Sequence, residues 1–481
     1  MAAITDSYIN HPPDKIAIQT LHEKITYQDW QVRVAQTANW LDSIELTNTK
    51  TVGVLLPNGI PFLQMFTGAS AAGWTTVLFD IKWTETELQK RILLSSPSIF
   101  ITSRALFPIV KHLHSRILIW EECCIEIEQN IVDRTIVMDG KLPFYMGFTS
   151  GTTGEPKAFI RSHDSWLSSF DCTRYDFHIS ENDQVLIPGA LIHSHFLYGV
   201  ISTLSIGGTV ILLEKFSPSL VLDFLTAEPI TVMYLVPTMI STLLKENRRI
   251  EKPIKLLSSG AKWEEHSKQQ IRSLFPHLNM YEFYGASELS FVTVLRHEEG
   301  RLKPQSVGKP CHNVEIQIRS EASQLSLPNE VGKIFVRSNM IFSGYLDSKV
   351  VIEDNGWMTV DDIGYLDEDG FLYISGREKN MILYGGINIF PEEVEKVLAE
   401  HPDVEEVAVI GIPDPHWGEL VCAVIKGKPE KLELQRLCRN RLSSYKVPRK
   451  WVFIDKMPHT ASGKIARAQL KSLLESKVIS H

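Results

Sequence analysis

A chain of 481 residues is too long for one hydrophobic core, and its length suggests about two to four domains. With 44% hydrophobic and 22% charged residues and no low-complexity stretch, the composition is that of a chain that folds throughout. A net charge of −8 argues against a nucleic acid partner, so any basic site for an anionic small molecule must be local.

Taken in order, Met1 to Asp6 lacks the basic and then apolar pattern of a secretory leader. The pattern from Ile25 to Leu41 predicts a helix behind the N-cap Thr26, and Thr51 to Leu56 predicts a strand that Pro57-Asn58-Gly59 ends. A helix from Ile60 to Gly73 and a strand from Thr75 to Phe79 follow, the order of a βαβ unit in a mostly parallel sheet. The pattern returns with strands at Gln184 to Ile187, Val210 to Leu213, Val232 to Leu235 and Lys255 to Ser258. The longest apolar run, Phe196 to Leu213, is broken by Gly207-Gly208 and reads as a helix, a turn and a buried strand, so no integral membrane segment is expected. After Gly308 short strands take over, at Val314 to Ile318, Gly332 to Val336 and Gly370 to Ile374. Beyond Arg377 a helix at Pro391 to Glu400, strands at Val404 to Gly411 and Leu420 to Ile425, and a terminal basic helix predict a small α+β domain. Six cysteines without a CxxC pair fit buried free thiols in a reducing cytoplasm, the expected localisation.

Between the two α/β stretches lies Phe148-Thr149-Ser150-Gly151-Thr152-Thr153-Gly154-Glu155-Pro156-Lys157. Two glycines allow the backbone to approach a ligand closely, four hydroxyls add donors, and Lys157 adds a charge that a polyphosphate attracts. It is not the P-loop, because Lys157 follows the second glycine by three positions. Flanked by two α/β halves, the loop is expected at a crevice beside strand ends. Leu257-Ser258-Ser259-Gly260-Ala261 ends a strand in small residues, against which a flat ring can stack; taken alone it is a plain strand-to-helix turn. In Tyr281-Glu282-Phe283-Tyr284-Gly285-Ala286-Ser287-Glu288 the final carboxylate would repel a triphosphate unless a divalent cation sat between them, which implies Mg²⁺ held by Glu288. Trp357 to Gly364 contains Asp361 and Asp362, Pro188-Gly189 precedes His193 and His195, and Pro458 to Ile465 ends in Gly463-Lys464.

Together these segments resemble the signatures of the adenylate-forming superfamily, which contains acyl-CoA synthetases, nonribosomal adenylation domains and firefly-type luciferases. The resemblance covers essentially the whole chain, in the family's order. It departs at Ala158, where the family usually has Gly, at Lys262, at Ser287 in place of Thr, and at Val360-Asp361 in place of Thr-Gly. The fold it implies is α/β: a large N-terminal domain, residues 1–376, of two α/β sheet subdomains plus a β-rich subdomain, and a small mobile α+β C-terminal domain, residues 377–481. By residue, it implies that Thr149, Ser150, Gly151, Thr152, Thr153, Gly154 and Lys157 bind the ATP phosphates and that Ser259, Gly260 and Ala261 wall the adenine. Tyr284, Gly285 and Ser287 would line the nucleotide, with Asp362 and Arg377 on its ribose. His193 matches the residue that gates the acyl pocket, with His195 as its rival. Lys379 stands at the hinge, Gly385 and Gly386 at the CoA channel, and Lys464 where a lysine contacts acyl carboxylate and adenylate. The catalytic set implied is Lys464, Glu288, Thr152 and His193.

The reaction implied has two halves: a carboxylate attacks the α-phosphate of ATP and releases pyrophosphate with Mg²⁺, then a thiol attacks the acyl-adenylate and expels AMP. Amino-acid adenylation domains typically place an Asp where this chain has Leu191-Ile192-His193, which favours a simple carboxylic acid and coenzyme A as acceptor. Loading of a carrier protein is the alternative; light production and a non-enzymatic nucleotide-binding role are more remote. Pocket walls are expected from Phe196 to Gly199, Val236-Pro237-Thr238 and Ala286 to Ser290, mostly apolar, which leans toward fatty or aryl acids. A monomer or homodimer is expected.

Overall fold

The computed structural model describes residues 4–45, 49–132, 139–150, 156–259, 265–347, 350, 352–384, 387–414, 416–460 and 464–478. These fall into two compact units. One takes in the described residues of Met1–Thr149, Pro156–Glu315 and Arg337–Gly356, and the other chiefly Ile316–Val336 and those of Trp357–His481. The β-rich stretch at 316–336 therefore clusters with the C-terminal residues.

Among the described residues the first unit is built on two sheets. In spatial order the seven-stranded sheet runs Gly344–Tyr345, Pro156–Ser162, Pro143–Ser150, Thr75–Leu78, Thr51–Leu55, Ile99–Thr102 and Ile117–Ile119. Its middle strands are parallel and buried on both faces, which is why Thr75–Leu78 and Ile99–Thr102 read as unbroken β-rich runs and not as an alternation. The nine-stranded sheet carries Gln184–Ile187, Thr209–Leu212, Val232–Leu235, Ile254–Ser258 and Leu278–Ala286 in parallel, with Ser290–Arg296 returning antiparallel. The helix Tyr27–Ser43 starts as its sequence predicts: Thr26 accepts from the Asp29 N–H at 3.1 Å and the Asp29 carboxylate turns back to Thr26, a reciprocal cap.

The strands Ile16–Gln19 and Lys24–Thr26, which no pattern announced, form one edge of the nine-stranded sheet, with Ile18 beside Val210. The run Phe196 to Leu213 resolves into the helix Ser194–Ile206, a turn with Gly207 at φ +90°, and the strand Thr209–Leu212. Among the described residues no helix is long and apolar enough to cross a membrane.

The second unit holds the sheet Glu315–Arg319, Gly332–Arg337, Asp362–Leu366 and Leu372–Arg377. A second sheet there is dominated by the long hairpin Val404–Asp414 and Gly418–Gly427. Alternation along the hairpin feeds two cores: Val409, Val421 and Ala423 face the helix Pro391–Leu398, while Ala408, Ile410 and Cys422 face Leu470 and Leu474 of the helix Arg467–Val478. Arg467 ties these layers, with Nη2 at 2.8 Å from Glu395. All six cysteines are free, and Cys124 alone among them is not buried.

One departure from the family's motif acquires a structural meaning. Asp361, in the place of a glycine, has φ +64°, the left-handed region where Asp is tolerated and β-branched residues are not. Its carboxylate lies 3.4 Å from Lys333, an exposed contact of small value. Asp361→Val should therefore lower stability by about 1–2 kcal/mol, whereas Asp361→Gly should stay within about 1 kcal/mol of the parent. Urea unfolding of the two variants checks this, and equal losses would contradict a backbone origin.

Candidate active site

The phosphate-type loop joins two neighbouring strands of the seven-stranded sheet, Pro143–Ser150 and Pro156–Ser162, so it is a strand-to-strand connection. Thr149 and Lys157 stand on either side of it, both half-buried. Gly151, Thr152, Thr153 and Gly154 lie outside the described residues, as does the Ser150 side chain. Lys157, Phe159 and Arg161 alternate onto one face of their strand. Lys157 Nζ stands 5.1 Å from the centre of the Tyr345 ring, within cation–π range. Tyr345 in turn donates its hydroxyl to Glu288 Oε1 at 2.6 Å.

Arg161, which motif reasoning passed over, is 2% exposed. Its guanidinium donates to the carbonyls of Ser287 at 2.9 Å and Met340 at 2.7 Å, with a longer contact to Ser165 at 3.4 Å. Burial lowers its pKa to about 10, against the opposing pull of Tyr145 and Glu288. A cation at an inward register of a strand was the one sequence signal for it.

The motif ending in Glu288 runs down the strand Leu278–Ala286 and turns back into Ser290–Arg296. The register slips between Tyr284 and Gly285, and a Cβ at Gly285 would stand 2.0 Å from the Ser290 carbonyl oxygen, so the hairpin closes only around glycine there. Ser259, at the end of the neighbouring strand, donates to the Phe283 carbonyl at 3.0 Å. Tyr284 and Ser287 are half-buried. Gly260, Ala261 and Lys262 lie outside the described residues. Among the described residues no three metal-ligating side chains gather, and Tyr345 is the one hydrogen-bond partner of the Glu288 carboxylate. A single open carboxylate suits Mg²⁺, which commonly takes one or two protein carboxylates and completes its shell with phosphate and water oxygens.

On the acyl side, Asn58 bridges the two sheets. Its amide donates to the Leu213 carbonyl at 2.9 Å and the Gly189 carbonyl at 3.2 Å, and its oxygen accepts from the Leu191 N–H at 2.7 Å. This fixes the approach to His193, which stands at the start of the helix Ser194–Ile206. The His193 ring reaches solvent yet is crowded by protein, and the lost hydration lowers its pKa, partly offset by Asp80. His195 points inward against Phe196, Tyr234 and Phe283, with both ring nitrogens buried and lacking a well-formed hydrogen bond. Desolvation takes its pKa down to about 4.

His163, fully buried on the Phe144 ring, is also held near 4 by desolvation; its Nδ1 accepts from the Ile4 N–H. Both histidines are neutral in the fold, while the unfolded chain protonates near 6.5. Stability is therefore full above that pH and falls as the pH drops toward 4, by about 1.4 kcal/mol per pH unit for each histidine. His163→Gln, which keeps an acceptor for Ile4, should remove one histidine's share of the slope between pH 6.5 and 5. A slope unchanged in denaturant titrations would contradict this.

In the second unit Asp362 and Arg377 face each other across an antiparallel pair, with Arg377 Nε at 2.7 Å from Asp362 Oδ1. Asp362 is 3% exposed and its arginine is open to solvent, so the pair is held at the base and open at the rim. Lys333 closes on Glu378 at 2.6 Å beside it. The Lys379 side chain and Gly385 and Gly386 lie outside the described residues. Lys464 ends a tight turn: its N–H donates to Thr460 Oγ1 at 3.2 Å and its carbonyl accepts from the Thr460 N–H at 2.7 Å. The backbone of His459 bridges Ile465 across the same turn. Lys464 is exposed.

The chain matches known proteins over nearly its whole length. A family of AMP-binding enzymes matches residues 6–346, and the C-terminal domain of AMP-binding enzymes matches residues 393–464. An uncharacterised acyl–CoA ligase, YhfT, of Bacillus subtilis strain 168 is 50% identical over 97% of this chain and 96% of its own length. The 2-succinylbenzoate–CoA ligase of the same strain is 30% identical over 97% of each chain. The solved o-succinylbenzoate coenzyme A synthetase of Bacillus subtilis, in complex with ATP and magnesium ion, superposes with a TM-score of 0.89 at 28% identity, over 98% of this chain and 99% of that one.

Proposed function

Because the chain belongs to the AMP-binding enzyme family, we propose that it joins an apolar carboxylic acid, fatty or aryl, to coenzyme A in an ATP-dependent, AMP-forming reaction. The observation that carries this reading is the cluster in which Lys157, from a strand, and Glu288, from the turn after Leu278–Ala286, meet on one tyrosine. A cation for phosphate oxygens and a carboxylate for a metal are what a magnesium–triphosphate requires side by side. In the first half-reaction Lys157 and Lys464 stabilise charge that develops on phosphate, with Thr149, Ser150, Gly151, Thr152, Thr153 and Gly154 as the remaining phosphate donors. Glu288 would hold Mg²⁺, whose charge would offset that of the pyrophosphate leaving group. Asp362 accepts from the ribose hydroxyls with Arg377 steadying it, Ser259, Gly260 and Ala261 wall the adenine beside Tyr284, Gly285 and Ser287, and His193 borders the acyl group. In the second half-reaction the thiol passes Gly385 and Gly386, after a pivot at Lys379 between an N-terminal domain ending at 376 and the C-terminal domain. Six free cysteines suit a cytoplasmic enzyme, acting as a monomer or homodimer.

Acceptance of an apolar acid is supported by the aromatic side chains of Phe196, Tyr234 and Phe283 around His195. A panel of fatty, aryl and dicarboxylic acids, assayed for pyrophosphate release with and without CoA, tests the reading. Release with apolar acids and acceleration of AMP formation by CoA are expected. Turnover of dicarboxylates alone would overturn the acid class, and discharge by a phosphopantetheinylated carrier protein with none by CoA would overturn the acceptor.

A further inference from the structure

Tyr345 belongs to none of the motifs that identify the site, yet it touches both charges at its centre. It sits in the two-residue strand Gly344–Tyr345, paired beside Phe159 on the strand that carries Lys157. Its ring is set by the edge of Phe342, at 5.0 Å and 82°. The segment before it is fastened to the Glu288 turn by two backbone ties. The Phe342 N–H donates to the Glu288 carbonyl at 2.9 Å, and Arg161 holds the carbonyls of Ser287 and Met340 together. The phenol is therefore clamped to the turn that presents the carboxylate and to the strand that presents the ammonium.

We propose that Tyr345 is a positioning residue which aims the Glu288 carboxylate and keeps Lys157 from pairing with it, so that both charges stay available to the magnesium–triphosphate. This rests on the ligase reading above. The two contacts approach the phenol from different directions. Glu288 is reached through the hydroxyl, where the hydrogen bond runs near the ring plane, whereas Lys157 stands over the ring. The ammonium therefore has the ring face and the carboxylate has the hydroxyl as partner, so one side chain occupies a cation and an anion that would otherwise attract each other. Among the described residues neither Lys157 nor Glu288 forms an ion pair. A ligand whose phosphates and metal must engage both would otherwise have to break that pair first, and the ring removes that step. The hydroxyl fixes one carboxylate oxygen by a hydrogen bond to a charged group and leaves the other for the metal.

Calorimetric titration of the full chain with ATP, once in Mg²⁺ and once in EDTA, separates the two roles. Tyr345→Phe keeps the ring and loses the donor. Its affinity in EDTA should match the parent, while the gain in affinity that Mg²⁺ brings should shrink roughly tenfold, the scale of one hydrogen bond to a charged group. KM for MgATP should rise in step, with kcat within about twofold. Tyr345→Leu loses the ring as well, and ATP binding should weaken in EDTA too, because Lys157 is captured by Glu288. Adding Glu288→Gln to Tyr345→Leu should then restore the affinity in EDTA, a rescue that a merely destabilised site would not show. An undiminished Mg²⁺ gain in Tyr345→Phe, or no rescue in the double variant, would overturn this role while leaving the ligase reading intact. A parent protein that bound no ATP would overturn the ligase reading, and this role with it.

Discussion

Lys464→Ala is expected to slow acyl-adenylate formation by roughly 10²–10³, the cost of about 2.7–4 kcal/mol that attends loss of one electrostatic stabiliser of a transition state. The same variant should discharge supplied acyl-adenylate to CoA at close to the parent rate. The turn explains why the loss is confined to chemistry. Its hydrogen bonds to Thr460 run through the backbone N–H and carbonyl of Lys464, which alanine retains. Those two backbone contacts survive the substitution while the ammonium is lost. Gly386→Trp should do the reverse, sparing adenylation and blocking passage of the thiol. Single-turnover measurement of the two half-reactions separates these outcomes, and equal losses in both halves for both variants would contradict the division of labour.

Arg161→Met is expected to have the largest effect on stability, about 3 kcal/mol. Two short charge-assisted hydrogen bonds, to Ser287 and Met340, are each worth about 1.5–3 kcal/mol. Part of that is offset because methionine no longer buries a guanidinium whose pKa desolvation has already lowered to about 10. The bonds join positions 126 and 179 residues away from Arg161. Their loss should therefore loosen the Glu288 turn before the rest of the unit, and MgATP binding should weaken at temperatures where the fold persists. Urea unfolding followed by ATP titration checks both, and a stability within about 0.5 kcal/mol of the parent would contradict the clamp.

These two residues mark where the sequence was legible and where it was not. Lys464 lies in a short motif whose residues are close in sequence, and the family resemblance points to it there. Thr26 and the strands Gln184–Ile187 and Val232–Leu235 were legible for the same reason: caps and β-rich runs are written in consecutive residues. The Asp362 and Arg377 pair was reached through the family resemblance and is found at adjoining positions of a β-ladder. Arg161, Tyr345 and Asn58 act through partners more than 50 residues away, and nothing in their own neighbourhood announces it. The strands Ile16–Gln19 and Lys24–Thr26 are too short for a period to emerge, and the first is set by its pairing with Val210 and Ile211. Asp361 hides a left-handed position because Asp, unlike most residues, tolerates one.

In the proposed reaction an oxygen of the acid becomes bonded to the α-phosphorus of ATP before the thiol attacks. An acid that the panel shows to be a substrate, labelled with heavy oxygen in its carboxylate, tests this in one turnover. The carboxylate oxygen that attacks phosphorus stays with the nucleotide when the thiol displaces it, so mass spectrometry should find one labelled oxygen in AMP and the other in the thioester. Unlabelled AMP, or label in inorganic phosphate released alongside ADP, would contradict the adenylate and the account built on it.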